Sequence, residues 1–189
     1  YLIDENQVAP GQSSFIREHF REHILPGLVP IMLDNVDQFP HLRDRTIYLA
    51  VHMQQGKDQY PNRYALIELP EHQPRFLVLP SETEATYIMI LDDIIRYCMD
   101  EIFHMFSFRR YRAYTIKLTR DAEMEMDQDI SENLLDRMLR GLKQRKQGQP
   151  VRLLYDQSMP DTMLQYFVSK LELSDEDNII AGGRYHNFR

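Results

Sequence analysis

The chain has 189 residues, of which 43% are hydrophobic and 27% charged, a composition that fits one globular domain and excludes disordered, collagen-like and fibrous classes. Its 22 Lys and Arg against 29 Asp and Glu give a net charge of −7, the wrong sign for a domain whose main partner is a nucleic-acid backbone. The single cysteine, Cys98, rules out an internal disulfide or a Cys-rich zinc site and points to a reducing compartment. No apolar run approaches the roughly 18 residues of a membrane span.

In chain order, Ile16, Phe20 and Ile24 recur at helical spacing between charged neighbours, predicting an opening helix over residues 13–25 that Pro26-Gly27 stops. Three apolar runs of strand length follow, at 46–53, 63–69 and 75–79, broken by turn chemistry around Gly56-Lys57-Asp58 and between Pro70 and Pro74. They barely alternate, so their sheet is expected to be covered on both faces. Residues 87–90 read as a short fourth strand. Asp92 then fits the cap of a helix carrying Leu91, Ile95, Cys98 and Ile102 on one stripe.

From 112 to 126 the period switches to two, with Tyr114, Ile116 and Leu118 on one face and Thr115, Lys117 and Thr119 on the other. Arg120 falls on the apolar face of this strand, where it needs a paired acid or a surface shared with another domain. Asp129 and Glu132 fit a D-x-x-E capping box opening a helix up to about residue 146. Residues 151–155 read as another strand, and Pro160 opens a last helix in which Met163, Phe167 and Leu171 align. The expected fold is α+β, a three-layer α/β/α domain with a mixed sheet of about five or six strands.

Motifs for self-contained chemistry are missing. Gly56-Lys57 lacks the upstream glycine and the following Ser or Thr of a P-loop. Gly182-Gly183 before Arg184 reads as a plain turn or as a close approach of backbone to an anion. His19 and His23 sit four apart, either as solvated helix positions or as a metal pair. Basic residues gather in acid-free stretches: Arg109, Arg110, Arg112, Lys117 and Arg120 fall within 102–120, and six more lie within 137–155. Such a block is a solvated face or a local surface turned toward a polyanion.

At Leu118-Thr119-Arg120-Asp121-Ala122-Glu123 and Gly182-Gly183-Arg184-Tyr185-His186-Asn187-Phe188 the sequence resembles the polyphosphate kinase family, specifically its middle, or head, domain. Arg63-Tyr64-Ala65-Leu66-Ile67-Glu68-Leu69-Pro70, the helix at 91–103, Leu142-Lys143-Gln144-Arg145, and Val151-Arg152 followed by Met159-Pro160 support it in the expected order. The resemblance implies a parent enzyme that reversibly makes polyphosphate from the terminal phosphate of ATP, through a phosphohistidine and Mg2+, in domains outside this chain. It therefore implies no catalytic, cofactor-binding or metal residue here, and it assigns no catalytic role to His186 or any other histidine of this chain.

Residues 1–181 are expected to be the middle domain and 182–189 the start of the connection into the catalytic half, the whole being a fragment. Its expected role is dimerisation and packing beside the polyphosphate tunnel, in a cytoplasmic enzyme that could reach the membrane through its parent. The partners implied are the other domains of the parent, a second parent copy, ATP and polyphosphate, with no nucleic acid. The alternative is a stand-alone binding or dimerisation module. Arg120, Arg184 and His186 are the candidate interface or polyanion-facing residues, and the partners of Arg184 are expected to lie outside the chain.

Overall fold

The computed structural model describes residues 1–34, 39–54, 63–106, 108–119, 152–173 and 178–186. Arg120, the second half of the long predicted strand and the helix expected up to residue 146 lie outside the described residues.

The chain opens with a two-residue strand, β1 (Leu2–Ile3), and then a helix, α1 (Pro10–His19). Pro10 occupies the first helical position, where its missing N–H costs nothing, and the Gln12 side chain accepts from the Ala9 N–H at 3.1 Å. α1 runs on through a π turn (Phe20–Ile24) and a 3-10 turn (Leu25–Gly27). The wider turn keeps Ile16, Phe20 and Ile24 buried on one side. Next come β2 (Pro30–Met32), β3 (Ile47–Gln54), β4 (Arg63–Glu68), β5 (Phe76–Leu79) and β6 (Tyr87–Ile90). Two short helices follow, α2 (Leu91–Tyr97) and α3 (Met99–Ile102), then the ten-residue β7 (Arg110–Thr119). β8 (Arg152–Asp156), α4 (Asp161–Lys170) and β9 (Ile179–Gly182) complete the described chain.

Two sheets form. The larger has the order β2-β4-β3-β7-β8-β9, antiparallel as far as β8 and parallel between β8 and β9. β3 buries seven of its eight residues, because both faces of this sheet are covered. On one face Ile47, Leu49, Val51 and Met53 join Ala65, Ile67 and Leu69 against α1, its π turn, and Ile94, Ile95, Cys98, Met99 and Phe103. On the other, Tyr48, Ala50, Tyr64, Leu66, Tyr114, Ile116, Leu118 and Leu153 meet Met163 and Phe167 of α4 and its C-cap Leu171. The α+β class and the expected layering are present.

The smaller sheet, order β1-β6-β5, is a feature the sequence reading did not separate. The run at 75–79 pairs with β6, Val78 opposite Ile88 and Phe76 opposite Ile90, and not with β4. A strand's own residues specify its pleat and burial but not which neighbour it hydrogen-bonds, so four-residue runs are the ones most easily placed in the wrong sheet. β1, β2 and β9 carry too few residues to show a period at all. No helix among the described residues is long and apolar enough to cross a membrane.

Candidate functional site

α2 reads Leu-Asp-Asp-Ile-Ile-Arg-Tyr, and apart from Tyr97 every residue of it is buried. The N-cap position is Ile90, without a side-chain cap, so Asp92 does not cap the helix. Instead Asp92 and Asp93 are both fully buried and must find cations. Asp93 accepts three hydrogen bonds, at 2.8 Å from Arg96 Nη1, 2.9 Å from Arg184 Nη2 and 2.6 Å from the Tyr185 hydroxyl. Arg96, one helical turn on, also donates to Thr115 Oγ1 at 2.8 Å and to the Ala113 carbonyl at 3.0 Å, tying α2 to β7. Thr115, itself inaccessible, donates its hydroxyl proton to the Arg184 carbonyl at 2.6 Å. Arg184 completes the cluster with an ion pair to Glu5, in the loop after β1.

A second pair lies alongside. Arg75 Nη2 sits 3.0 Å from Asp92 Oδ2 and donates to the His186 carbonyl at 3.0 Å. Residues 183–186 are thus clasped by side chains from β7, α2, the loop after β1 and the residue just before β5, with no strand partner of their own among the described residues.

The electrostatics follow from burial. Desolvation raises the Asp92 carboxyl above its ordinary range, and Arg75 and Arg96 only partly counter it. Desolvation works against the charged form of Arg184 too, but hydrogen bonds to Glu5 and Asp93 outweigh it and raise its pKa. Burial, followed by donation to Asp93, pushes the Tyr185 phenol up to about 12. His186 is 4% exposed, and neither ring nitrogen has a protein partner of good hydrogen-bond geometry. Burial lowers its pKa; the Gly183 backbone and Asp156 oppose that shift, while Lys117 and Arg75 add to it.

A cleft of about 370 Å³ opens beside the clasp, with Glu5, Asn6, Arg96, Arg112, Ser158 and Arg184 in its lining. Of its guanidiniums, Arg96 and Arg184 are already neutralised by Asp93 and Glu5, whereas Arg112 at the exposed side has no carboxylate within ion-pair distance among the described residues. Gly182 is needed for packing, because a Cβ there would lie 2.9 Å from Leu154 Cδ1 and 3.2 Å from His186 Nε2. A Cβ on Gly183 would meet nothing within 4 Å.

The candidate residues separate accordingly. Arg184 and His186 come together in the clasp, and the partners of Arg184 lie within this chain, contrary to the expectation that they would lie outside it. Burial beside Asp93 is the reason, since a guanidinium there completes the carboxylate's acceptor set. Arg120 is not described. His19 and His23 stack at 4.7 Å between ring centroids, and His23 Nδ1 lies 3.3 Å from the His19 carbonyl. Among the described residues no group of three or more His, Cys, Asp or Glu has the arrangement of a metal site. Asp93 and Arg96 escaped sequence reading. The available signal was an acid pair and an arginine inside an otherwise apolar helix.

Comparison with known proteins agrees with this architecture. A family model described as the polyphosphate kinase middle domain matches residues 11–189. The chain is 39% identical over 194 residues to the polyphosphate kinase of Vibrio parahaemolyticus, covering 100% of this chain and 27% of that protein. It is 37% identical over 194 residues to that of Escherichia coli K12, covering 100% of this chain and 28% of the relative. The crystal structure of polyphosphate kinase from Porphyromonas gingivalis is similar with a TM-score of 0.74 and 28% identity, over 97% of this chain and 25% of that one. The chain therefore spans little more than a quarter of the length of the curated relatives it matches.

Proposed function

Because the chain belongs to the polyphosphate kinase middle-domain family, we propose that it is the non-catalytic middle domain of an enzyme that reversibly transfers the terminal phosphate of ATP to polyphosphate. The observation that carries this reading is a match running through the whole chain while leaving nearly three quarters of each relative unmatched. The chemistry of the described residues agrees with it. His186, the histidine of the most family-like stretch, is buried, so its ring is poorly placed to attack the terminal phosphate of a nucleotide. ATP, Mg2+ and the phosphohistidine belong, on this reading, to the parent's other domains.

Within the parent, which we place in the cytoplasm, the role of this domain is scaffolding. It packs against the other domains beside the polyphosphate tunnel and takes part in a dimer. The clasp supports that role, because Asp93, Thr115 and Arg75 fix residues 184–186 firmly against the body of the domain.

The test is phosphoryl transfer. The purified 189-residue chain, given ATP, Mg2+ and polyphosphate, is expected to show no turnover, while a longer protein containing it makes polyphosphate. Turnover by the chain alone overturns the reading, and a longer reading frame without kinase activity favours a stand-alone binding or dimerisation module.

A further inference from the structure

Among the described residues, most guanidinium groups already have an acid. Arg17 and Arg21 bind Glu101, Arg43 binds Glu68, and Arg45 lies 3.6 Å from Asp44. Arg63 lies 3.4 Å from Asp34, Arg75 binds Asp92, and Arg96 and Arg184 share Asp93. Among the described residues, the arginines with no carboxylate within ion-pair distance are Arg109, Arg110, Arg112 and Arg152. Three of those four are exposed neighbours at the start of β7.

The fold aligns them. Arg110 and Arg112 are two residues apart on a strand, so they project from the same face about 7 Å apart. Opposite them on β3 stand Gln54 and His52, and beyond His52 on β4 stands Tyr64, so no acid shares that row. Arg109 is held at the strand's mouth by its N–H to the Gln54 carbonyl at 3.0 Å. Unpaired guanidiniums at strand spacing suit a linear chain of anionic groups, each fork donating N–H bonds to phosphate oxygens without first giving up an internal carboxylate.

We propose that Arg109, Arg110 and Arg112 form a binding surface for linear inorganic polyphosphate. This rests on the reading that the parent handles that polymer. With the rest of the molecule negative overall, the contact is short, a few phosphates long, and strongly salt-dependent.

The experiment measures binding of the 189-residue chain to end-labelled inorganic polyphosphate over a series of salt concentrations. Arg110→Gln/Arg112→Gln is expected to weaken binding at least tenfold and to lower the slope of log affinity against log salt by about two, one per lost phosphate contact. Arg43→Gln, which removes a paired surface arginine, should leave both unchanged. Thermal melts of all variants check that folding is intact. The proposal is overturned if the unaltered chain does not bind at low salt, or if the double variant binds as the unaltered chain does. Single-stranded RNA binding more tightly than polyphosphate at matched charge also overturns it, since the patch would then be a nucleic-acid surface. Kinase activity of the longer protein is scored separately: an active longer protein whose middle domain does not bind polyphosphate refutes this surface and leaves the proposed function standing.

Discussion

Asp93 is the residue on which most of the site's energy turns. A fully buried carboxylate with two guanidiniums and a phenol becomes very costly when its partners go, and removing one member of such a buried pair typically costs roughly 3 to 5 kcal/mol. Asp93→Ala should fall in that range, because it strands Arg96. Arg184→Ala should cost less, about 1 to 2 kcal/mol, because its side chain is 35% exposed and Arg96 remains on the acid. Denaturant titration of the two variants checks the order, and equal losses would mean that Arg184 and not Arg96 is the main counter-ion. His186 supplies the pH dependence. Its folded pKa lies below the ordinary histidine value of 6.5, so the unfolded chain takes up the proton first. Stability contributed by neutral His186 is therefore complete above that value and is lost as pH falls below it toward the lowered folded pKa. His186→Asn should flatten the pH–stability curve in that window, which a set of melts at graded pH would show.

Among the elements, α4 ends in a way that can be improved. Leu171 is its C-cap, and Glu172, the next residue, has φ of 54°, while the Leu173 N–H donates to the Val168 carbonyl at 3.1 Å in a Schellman closure. A non-glycine residue in that left-handed conformation is strained, and Glu172→Gly is expected to raise stability by about 1 kcal/mol. A lower melting temperature for that variant would show that the glutamate side chain supports the cap in another way. β9 poses the opposite case. Gly182→Ala should cost about 1 kcal/mol as the Leu154 tip and the His186 ring give way, whereas Gly183→Ala should stay within about 0.5 kcal/mol. Comparing the two midpoints tests whether the paired glycines serve packing, as the geometry indicates, or backbone approach to a ligand.

At the scale of the whole molecule, both faces of the six-stranded sheet are covered, and the two clusters share β3, β4 and β7 as their wall. Unfolding is accordingly expected to be a single cooperative transition. Cys98 reports on it, since the thiol is inaccessible and burial pushes its pKa up to about 12. Thiol reagents should react slowly with the native chain and at a rate that rises in step with the loss of helical signal during denaturation. Reaction well before the main transition would reveal a separately unfolding layer on the α1 side.

Local chemistry in the sequence was enough to place the opening helix, the buried runs of β3 and β4, the alternating stretch of β7 from Tyr114 to Thr119 and the α4 stripe, because burial on one or two faces imprints a period on each. The family was also readable, from short stretches distributed along the chain. Partner choice was not. Nothing within residues 75–79 or 87–90 says that they leave the main sheet, and nothing near Asp93 says that its counter-ion comes from Arg184, 91 residues away. Charge gave the same lesson in reverse. The basic block at 109–112 is visible in the sequence, but only the folded chain shows that these arginines lack carboxylates while nearly all the other described arginines have them. Period is a property of one segment against its own surroundings; pairing depends on which distant segment the fold brings within reach.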